Sequence, residues 1–450
     1  MPARLAPLLA LGVLVCAACR PLTLPWSAVP ASETPFAAAA PGQNCEFGIS
    51  DCPASATPHS AIPSQDGPLS AHSPPGSVLA LTVLPGRNEL LAGVGPVDEP
   101  PVGLGWRLYR GRGDTPLAKI EDYRWQRLSW PDEAIPHSFH VSPAGDTMFA
   151  VPVSQAVFGA GQAWGLMRST DGGQTWRQVV KGLGDPYVMA LALSPAFDTD
   201  HTLAAVTWRS GAYLSTNGGD SWQRLTYRRP IEPSGGANPY DLAVALSPDF
   251  QGGLAAGRPI EHGEVIASFG HGLRLWDLRR SDWRTLPLTV TTGLDDYDPP
   301  SAQLTAGAIA FSPSFSSDGT LYVYSGYAGL FRSTDRGDTW RLASRRLPTP
   351  APPTRNFHLA VMSAAEVYVL LPAPRADGEP ATPEPAGAPA RVLYRSRDGG
   401  ASWQALKAPP ALGQVSTFAL GRDAGGGVML YLGGSHGGVS GQLADAFSWQ

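Results

Sequence analysis

Seven tryptophans divide most of the chain into units of similar length: Trp125, Trp176, Trp222, Trp283, Trp340, Trp403 and Trp449, which are 51, 46, 61, 57, 63 and 46 residues apart. The first six open a common tail, W-[QR]-x-[LVA], as in WQRL at Trp125 and WRTL at Trp283. Four of them also close an eight-residue box, S-x-[DN]-x-G-x-[ST]-W. The boxes are STDGGQTW (Ser169 to Trp176), STNGGDSW (Ser215 to Trp222), STDRGDTW (Ser333 to Trp340) and SRDGGASW (Ser396 to Trp403). A period of this size calls for a propeller or a solenoid, because one such unit cannot bury its apolar face alone.

Each unit reads as strands. Alternating apolar residues end in Ser-Pro at FHVSP (Ser142, Pro143), VMALALSP (Ser194, Pro195), LAVALSP (Ser247, Pro248) and AIAFSP (Ser312, Pro313). These are period-two strands closed by a residue that cannot continue a ladder. A second strand follows, as in TLAAVTW (202–208) or TLYVYSG (320–326), and a third, GAYLST (211–216) or GLFRST (329–334), runs into the box. The tail after the Trp supplies a fourth. Four antiparallel strands per unit, repeated about seven times, describe an all-β chain folded as one β-propeller of seven four-stranded blades over 77–450. The last unit, GGVSGQLADAFSWQ, is degenerate, so its outer strand is either missing or completed from the N-terminal segment.

Within a box, Ser and Asp accept local backbone bonds and Gly takes positive φ, which makes a tight hairpin. The Trp then covers the apolar space between neighbouring sheets. On these residues (Ser169, Asp171, Gly173, Trp176; Ser215, Asn217, Gly219, Trp222; Ser333, Asp335, Gly337, Trp340; Ser396, Asp398, Gly400, Trp403) the chain resembles the Asp-box (BNR) repeat propellers. That superfamily includes sialidases, xyloglucan-cleaving glycoside hydrolases, the sortilin luminal domain and a photosystem II assembly factor. The resemblance implies that the boxes lie on the face opposite the one that binds ligands.

The ligand face would then be built from the connectors into each first strand and from the second-to-third strand loops. Connectors carry Asp185-Pro186-Tyr187, Pro239-Tyr240-Asp241 and Asp295-Asp296-Tyr297-Asp298, with His137, Arg355 and His358 elsewhere. Loops carry Asp98-Glu99, Trp208-Arg209, Glu261-His262 and Tyr327. Tyr beside Asp in three connectors suits a carbohydrate or peptide groove, yet Asp also caps turns and loops are polar by default. The arginine that sialidases supply from Arg-Ile-Pro has no counterpart, since Arg229-Pro230-Ile231 and Arg258-Pro259-Ile260 run in the wrong order. A glycoside hydrolase needs two carboxylates flanking the bond, and Asp185, Asp241 and the 295–298 cluster are the candidates.

Other motifs carry little chemistry. The acidic run 295–298 lacks the glycine and spacing of a calcium loop. The nine histidines form no HxxxH or HExxH. Gly433-Gly434-Ser435-His436-Gly437 matches GxSxG, but the following GVSGQL is too rich in glycine to start the helix that a nucleophile elbow needs. No cofactor or metal is expected, and no catalytic residue is assigned.

Composition sets the remaining bounds. Charged residues are 16% of the 450, while glycine (51) and proline (45) together make about a fifth, which excludes helical bundles and coiled coils. The net charge of −5 argues against a nucleic-acid partner. Arg4 precedes an apolar run from Leu8 to Val15, too short to span a bilayer, so 1–18 reads as a signal peptide. Its end, Cys16-Ala17-Ala18-Cys19, resembles a bacterial lipobox, which implies cleavage before Cys19 and lipidation there. Cys45 and Cys52 remain as a pair that an oxidising compartment would join. Residues 19–76 hold many Pro, Ala and Ser and few large apolar side chains, and so read as a disordered tether; 372–390 reads as a disordered loop within the propeller. The expectation is an exported, lipid-anchored, monomeric protein of the cell envelope. It would bind a protein or glycan without catalysis, touch the membrane only through its anchor, and have a glycoside hydrolase as the alternative reading.

Overall fold

The computed structural model describes residues 74, 76–95, 106–113, 122–131, 134–153, 164–208, 210–225, 242–252, 263–268, 273–277, 282–286, 306–325, 329–344, 347, 358–372, 391–423 and 425–450. Cys19, Cys45, Cys52 and most of both proline-rich stretches lie outside them.

The strands form seven antiparallel sheets taken in chain order. Blade I is β1 (Val78–Leu84), β2 (Glu89–Val94), β3 (Arg107–Arg112) and β4 (Arg124–Leu128). Blade II is β5 (Ile135–Val141), β6 (Met148–Val153), β7 (Met167–Ser169) and β8 (Arg177–Gln178). Blade III is β9 (Val188–Leu193), β10 (Leu203–Thr207), β11 (Gly211–Ser215) and β12 (Gln223–Arg224). Blade IV is β13 (Ala243–Leu246), β14 (Val265–Ser268), β15 (Leu273–Asp277) and β16 (Asp282–Thr285). Blade V is β17 (Ala308–Phe311), β18 (Leu321–Ser325), β19 (Gly329–Ser333) and β20 (Arg341–Leu342). Blade VI is β21 (His358–Val361), β22 (Val367–Pro372), β23 (Arg391–Ser396) and β24 (Gln404–Ala405). Blade VII has three strands among the described residues: β25 (Val415–Arg422), β26 (Val428–Gly434) and β27 (Val439–Leu443). The all-β, seven-bladed expectation holds.

The core is divided among the seams. Seven buried clusters each join side chains of two adjacent blades, from blades I and II around to blades VII and I. The seam between II and III, for instance, buries Phe149, Val151, Leu166 and Val179 against Leu191, Phe197, Leu203 and Trp222. With roughly 2 kcal/mol gained per fully buried large apolar side chain, one seam outweighs the bonds of any single hairpin several-fold.

The Ser-Pro signals carry more structure than a strand stop. In blades III and V the chain turns through one-turn helices, α1 (Phe197–Asp200) and α2 (Phe315–Asp318). The Ser194 hydroxyl donates to Asp200 Oδ2 at 2.6 Å, and Asp200 Oδ1 accepts the Thr202 amide at 2.8 Å. Ser312, Asp318 and Thr320 repeat the arrangement at 2.6 and 2.7 Å. Each turn drives a phenylalanine, Phe197 or Phe315, into a seam, where both are buried.

Closure uses packing. Blade I contains its own inner strand β1, which packs on β25 and β26 of blade VII through Val78, Leu81, Ala419 and Tyr431. The Ser416 hydroxyl donates to the Gly433 carbonyl at 3.0 Å and also to the Val78 carbonyl across the seam. The end of the degenerate unit does not pair with blade VII. Ala405 and Gln450 exchange backbone bonds at 2.8 Å, and the Lys407 amide donates to Ser448 at 3.0 Å, so 448–450 edge the outer strand of blade VI. Trp449 packs on Tyr368 and lies under the Arg395 guanidinium, 4.1 Å from its ring. Trp449→Ala should therefore lower stability by about 2–3 kcal/mol in urea titrations, through lost burial and stacking. No change in the midpoint would contradict this.

Candidate functional site

In an antiparallel meander, the connectors into each first strand and the second-to-third loops emerge on one face. The first-to-second turns and the third-to-fourth hairpins emerge on the other. All four boxes are third-to-fourth hairpins, for example Ser169–Trp176 between β7 and β8, so they share the second face.

The first strands of all seven blades wall an axial channel of about 390 Å³. Its lining is mostly small or apolar, with Ala80, Ala190, Ala243, Ala308 and Ala360 recurring from blade to blade. The polar exceptions are His137, Ser138, His140, His358 and Thr417. Among the described residues of this lining, none is a carboxylate, a lysine or an arginine. Among the described residues, no group of three potential metal ligands converges.

His137 lies where β5 breaks register with β6 between Pro136 and Ser138, a bulge that re-aims the side chain. His140 lies deeper, its Nε2 3.3 Å from the Ser138 hydroxyl. His358 opens β21 and packs near the Phe418 ring. Burial, and then His137, push His140 down to about 4. Burial, followed by Arg391 and His137, pushes His358 down to about 3. Both rings are therefore neutral at pH 7, able to give or take one hydrogen bond each on the channel wall.

The described part of the first face has a second feature. Tyr187 and Trp208 meet edge to face with ring centroids 6.1 Å apart, and the Trp208 amide donates to the Tyr187 carbonyl at 2.9 Å. Both are half-buried. Asp185, named as a ligand-face carboxylate, is buried and accepts the Tyr187 amide at 3.0 Å. It shapes the turn that presents Tyr187. Tyr240, Asp241, Asp295, Asp296, Tyr297 and Asp298 lie outside the described residues, as do Arg209, Arg355, Glu261, His262 and Tyr327. Ser435 of the GxSxG string sits in the β26–β27 turn, where its hydroxyl accepts the Gln414 amide at 3.1 Å.

The boxes share one bonding scheme. In the first, the Ser169 hydroxyl donates to Asp171 Oδ1 and accepts the Gly173 amide, both at 2.8 Å. Asp171 Oδ1 also accepts the Thr175 amide at 2.9 Å. Ser333–Asp335–Gly337 and Ser396–Asp398–Gly400 repeat it within 0.1 Å. Asn217 keeps the amide bond at 2.9 Å and uses its Nδ2 to donate to Ser221. Bonds from the Ser402 hydroxyl and amide hold Asp398 down at about 2. For Asp171 and Asp335, burial raises the carboxyl, and the bonds from Thr175 or Thr339 outweigh it. The four box glycines have φ between 87° and 94°. Two tryptophans cross the seam: Trp222 Nε1 donates to Val179 O and Trp403 Nε1 to Ala343 O, each at 2.9 Å. Trp176 and Trp340 instead donate within their own boxes to Gly173 and Gly337.

One set of residues escaped the motif reading. An arginine one residue before the box serine, or at the matching position of β3, faces the next blade. Arg110 donates to the Gly172 carbonyl at 3.1 Å, Arg168 to that of Gly218, and Arg395 to Asp445 Oδ1 at 2.7 Å. Arg336 occupies the box position that is glycine elsewhere, at φ 59°, and points the other way, pairing with Glu264 of blade IV at 3.5 Å and stacking on Phe315. The R-S dipeptides at 168, 332 and 395 are the sequence signal.

Two outcomes follow. A Cβ on Gly400 would meet Ala343 Cβ at 2.5 Å and its carbonyl oxygen at 2.9 Å, at φ +94°. Gly400→Ala should cost about 2 kcal/mol or more in urea unfolding, and a neutral result would contradict the seam geometry. The histidines give a pH dependence of definite sign. The unfolded chain takes up protons near the ordinary 6.5, whereas His140 and His358 in the fold do so only near 4 and 3. Stability therefore falls as pH drops from about 6.5 to 4. His140→Gln should flatten that slope by about 1 kcal/mol, the rings being half-exposed to the channel; an unchanged slope would contradict it.

No family model matches the chain, and no curated protein matches it. Solved structures do. YCF48 bound to D1 peptide is 17% identical, with 85% of this chain and 96% of that one covered at a TM-score of 0.46. YCF48 from Cyanidioschyzon merolae is 16% identical, covering 84% and 98% at 0.45. The GH74 enzyme of Niastella koreensis is 14% identical, covering 85% and 55% at 0.49. The seven sheets themselves make the chain a seven-bladed β-propeller.

Proposed function

We propose that this protein is a non-catalytic binding module that presents the channel-mouth face of a rigid ring to a protein or glycan partner. The observation that supports it most is the channel wall: small and apolar side chains, neutral histidines, and among the described residues no carboxylate to protonate a leaving group or attack a sugar. Tyr187 and Trp208 add an aromatic ledge beside it, suited to stacking on a sugar ring or a peptide side chain. The seams hold the strands of the channel wall fixed, so binding at that wall costs little ordering entropy. YCF48 is described as bound to the D1 peptide, and a peptide is one of the two partner classes this face suits.

We further propose export and anchoring: cleavage before Cys19, acylation of Cys19, and the proline-rich stretch after it as the spacer between membrane and ring. The ring would then work in the cell envelope as a monomer.

The full chain, screened against a panel of fluorogenic glycosides and a glycan and peptide array, should give binding without turnover. Binding should weaken about tenfold in Trp208→Ala, the loss of one stacked aromatic. Hydrolysis that survives purification would overturn the non-catalytic reading. Cells fed labelled palmitate should label the wild type and not Cys19→Ala; equal labelling would overturn the anchor.

A further inference from the structure

We propose that the axial channel is a binding site for a small carboxylate on a short apolar body, held by donors that blades VI, VII and II place on one arc of its wall. This goes beyond the partner read onto the channel-mouth face, since the carboxylate would fill the space behind that face.

The wall is divided around its circumference. Its polar side chains come from β5 (His137, Ser138 and His140), β21 (His358) and β25 (Thr417), and blade I completes these blades into one continuous arc. Among the described residues, blades III, IV and V line the channel with glycine, alanine and aliphatic side chains, such as Ala190, Val244 and Ile309. A ligand that matches both halves has an apolar side and a group that accepts hydrogen bonds. The volume of about 390 Å³ lies within the span of small-molecule sites, roughly 300–1,000 Å³.

The donors gather toward the mouth. First strands run from the first face toward the second; His358 opens β21, while His137 and Thr417 are third in β5 and β25. Arg391 opens β23 at the same face, and its guanidinium donates to the carbonyl of Ser416, the neighbour of Thr417, at 3.2 Å. One donor is unspent. Thr417 is 1% exposed, and its hydroxyl has no hydrogen-bond partner among the described residues. A buried hydroxyl without a partner is costly, and an acceptor in the channel relieves it.

Charge selects the acceptor. Three of the lining residues are histidines, and among the described residues of the lining none is Asp or Glu. The charged and titratable groups that act on the rings are His137 for His140, and Arg391 and then His137 for His358; β1, β9, β13 and β17 bring no titratable side chain to the lining. Burial and these like neighbours hold both rings neutral while the channel carries no anion. A carboxylate supplies the missing countercharge. It would accept from Thr417 and from an imidazole N–H, and draw a proton from solvent onto a ring, which makes that bond charge-assisted. A cation would find no carboxylate there, and among the described residues no three potential metal ligands converge.

The test is titration calorimetry on the full chain with sodium hexanoate, at about pH 7.5, 6.5 and 5.5 and in two buffers of different ionisation enthalpy. One saturable site is expected, with proton uptake and an affinity that rises by up to about tenfold for each pH unit lowered. The sign follows from the empty rings, which take up protons only near 4 and 3, so a proton gained in the measured range arrives with the ligand. Hexanamide, similar in shape and uncharged, should bind at least about tenfold more weakly. Thr417→Val keeps the shape and removes the donor, and should weaken hexanoate about tenfold. His358→Gln keeps a donor that cannot charge, and should flatten the pH slope. No saturable binding, equal affinity for hexanamide, or no effect of either variant would overturn the proposal. A blocked pentapeptide with a central glutamate identifies the source: displacement of hexanoate assigns the carboxylate to a polypeptide, and no displacement assigns it to a small molecule. None of these results bears on the glycan and peptide array, so the two readings fail separately.

Discussion

The structure depends on the apolar seam between neighbouring sheets. Each blade is a small antiparallel meander with two faces to cover, and only the next blade covers them. Seven such seams close the circle, and the box, the Ser-Pro turn and the arginine before the box all serve this packing. The box sets its Trp at a seam. The Ser-Pro turn drives in Phe197 or Phe315, and Arg110, Arg168 or Arg395 reaches across to the next blade. The seam between VII and I lacks two of these fittings. Blade I turns through Pro85-Gly86-Arg87-Asn88 with no phenylalanine, and its Trp125, which covers this seam, has no intact box before it. A groove of about 730 Å³ opens there, bounded by Arg87, Met429, Tyr431 and Leu443.

That division of labour leaves the two faces with different freedom. Box hairpins are tied by three or four bonds each, and their glycines sit at positive φ beside neighbouring side chains. Substitution there disturbs the ring. The opposite face carries connectors of six to twenty-two residues, so its loop lengths differ from blade to blade. Function concentrates where loop variation is tolerated. Alanine recurs on the wall of the channel between the inner strands, and the channel's histidines stay neutral because that space solvates charge poorly.

Much of the fold was legible because repetition exposes it. Trp at a near-constant spacing gave the blade count, and GAYLST and GLFRST gave third strands that the structure has at Gly211–Ser215 and Gly329–Ser333. What stayed hidden has physical causes. The arginine column was masked because arginine before a turn resembles ordinary surface charge, and its partner, a backbone carbonyl or the Asp445 carboxylate, lies one blade away. The fate of Trp449 was hidden because pairing with Leu406 is a contact between blades, which no local pattern encodes. Asp185 looked like a ligand-face carboxylate, yet the same Asp-Pro-Tyr string also specifies a turn, and burial decided between the two. The channel histidines were seen singly in the sequence; ring closure is what brings His137, His140 and His358 to one wall.

The central claim is that the channel-mouth face does the binding and the box face does not. Photo-crosslinking in producing cells tests it directly, with a benzophenone amino acid placed at Tyr187 on one face or at Gln174 in a box on the other. The account predicts a discrete cross-linked adduct from position 187 and none from 174. An adduct from 174 alone would contradict it.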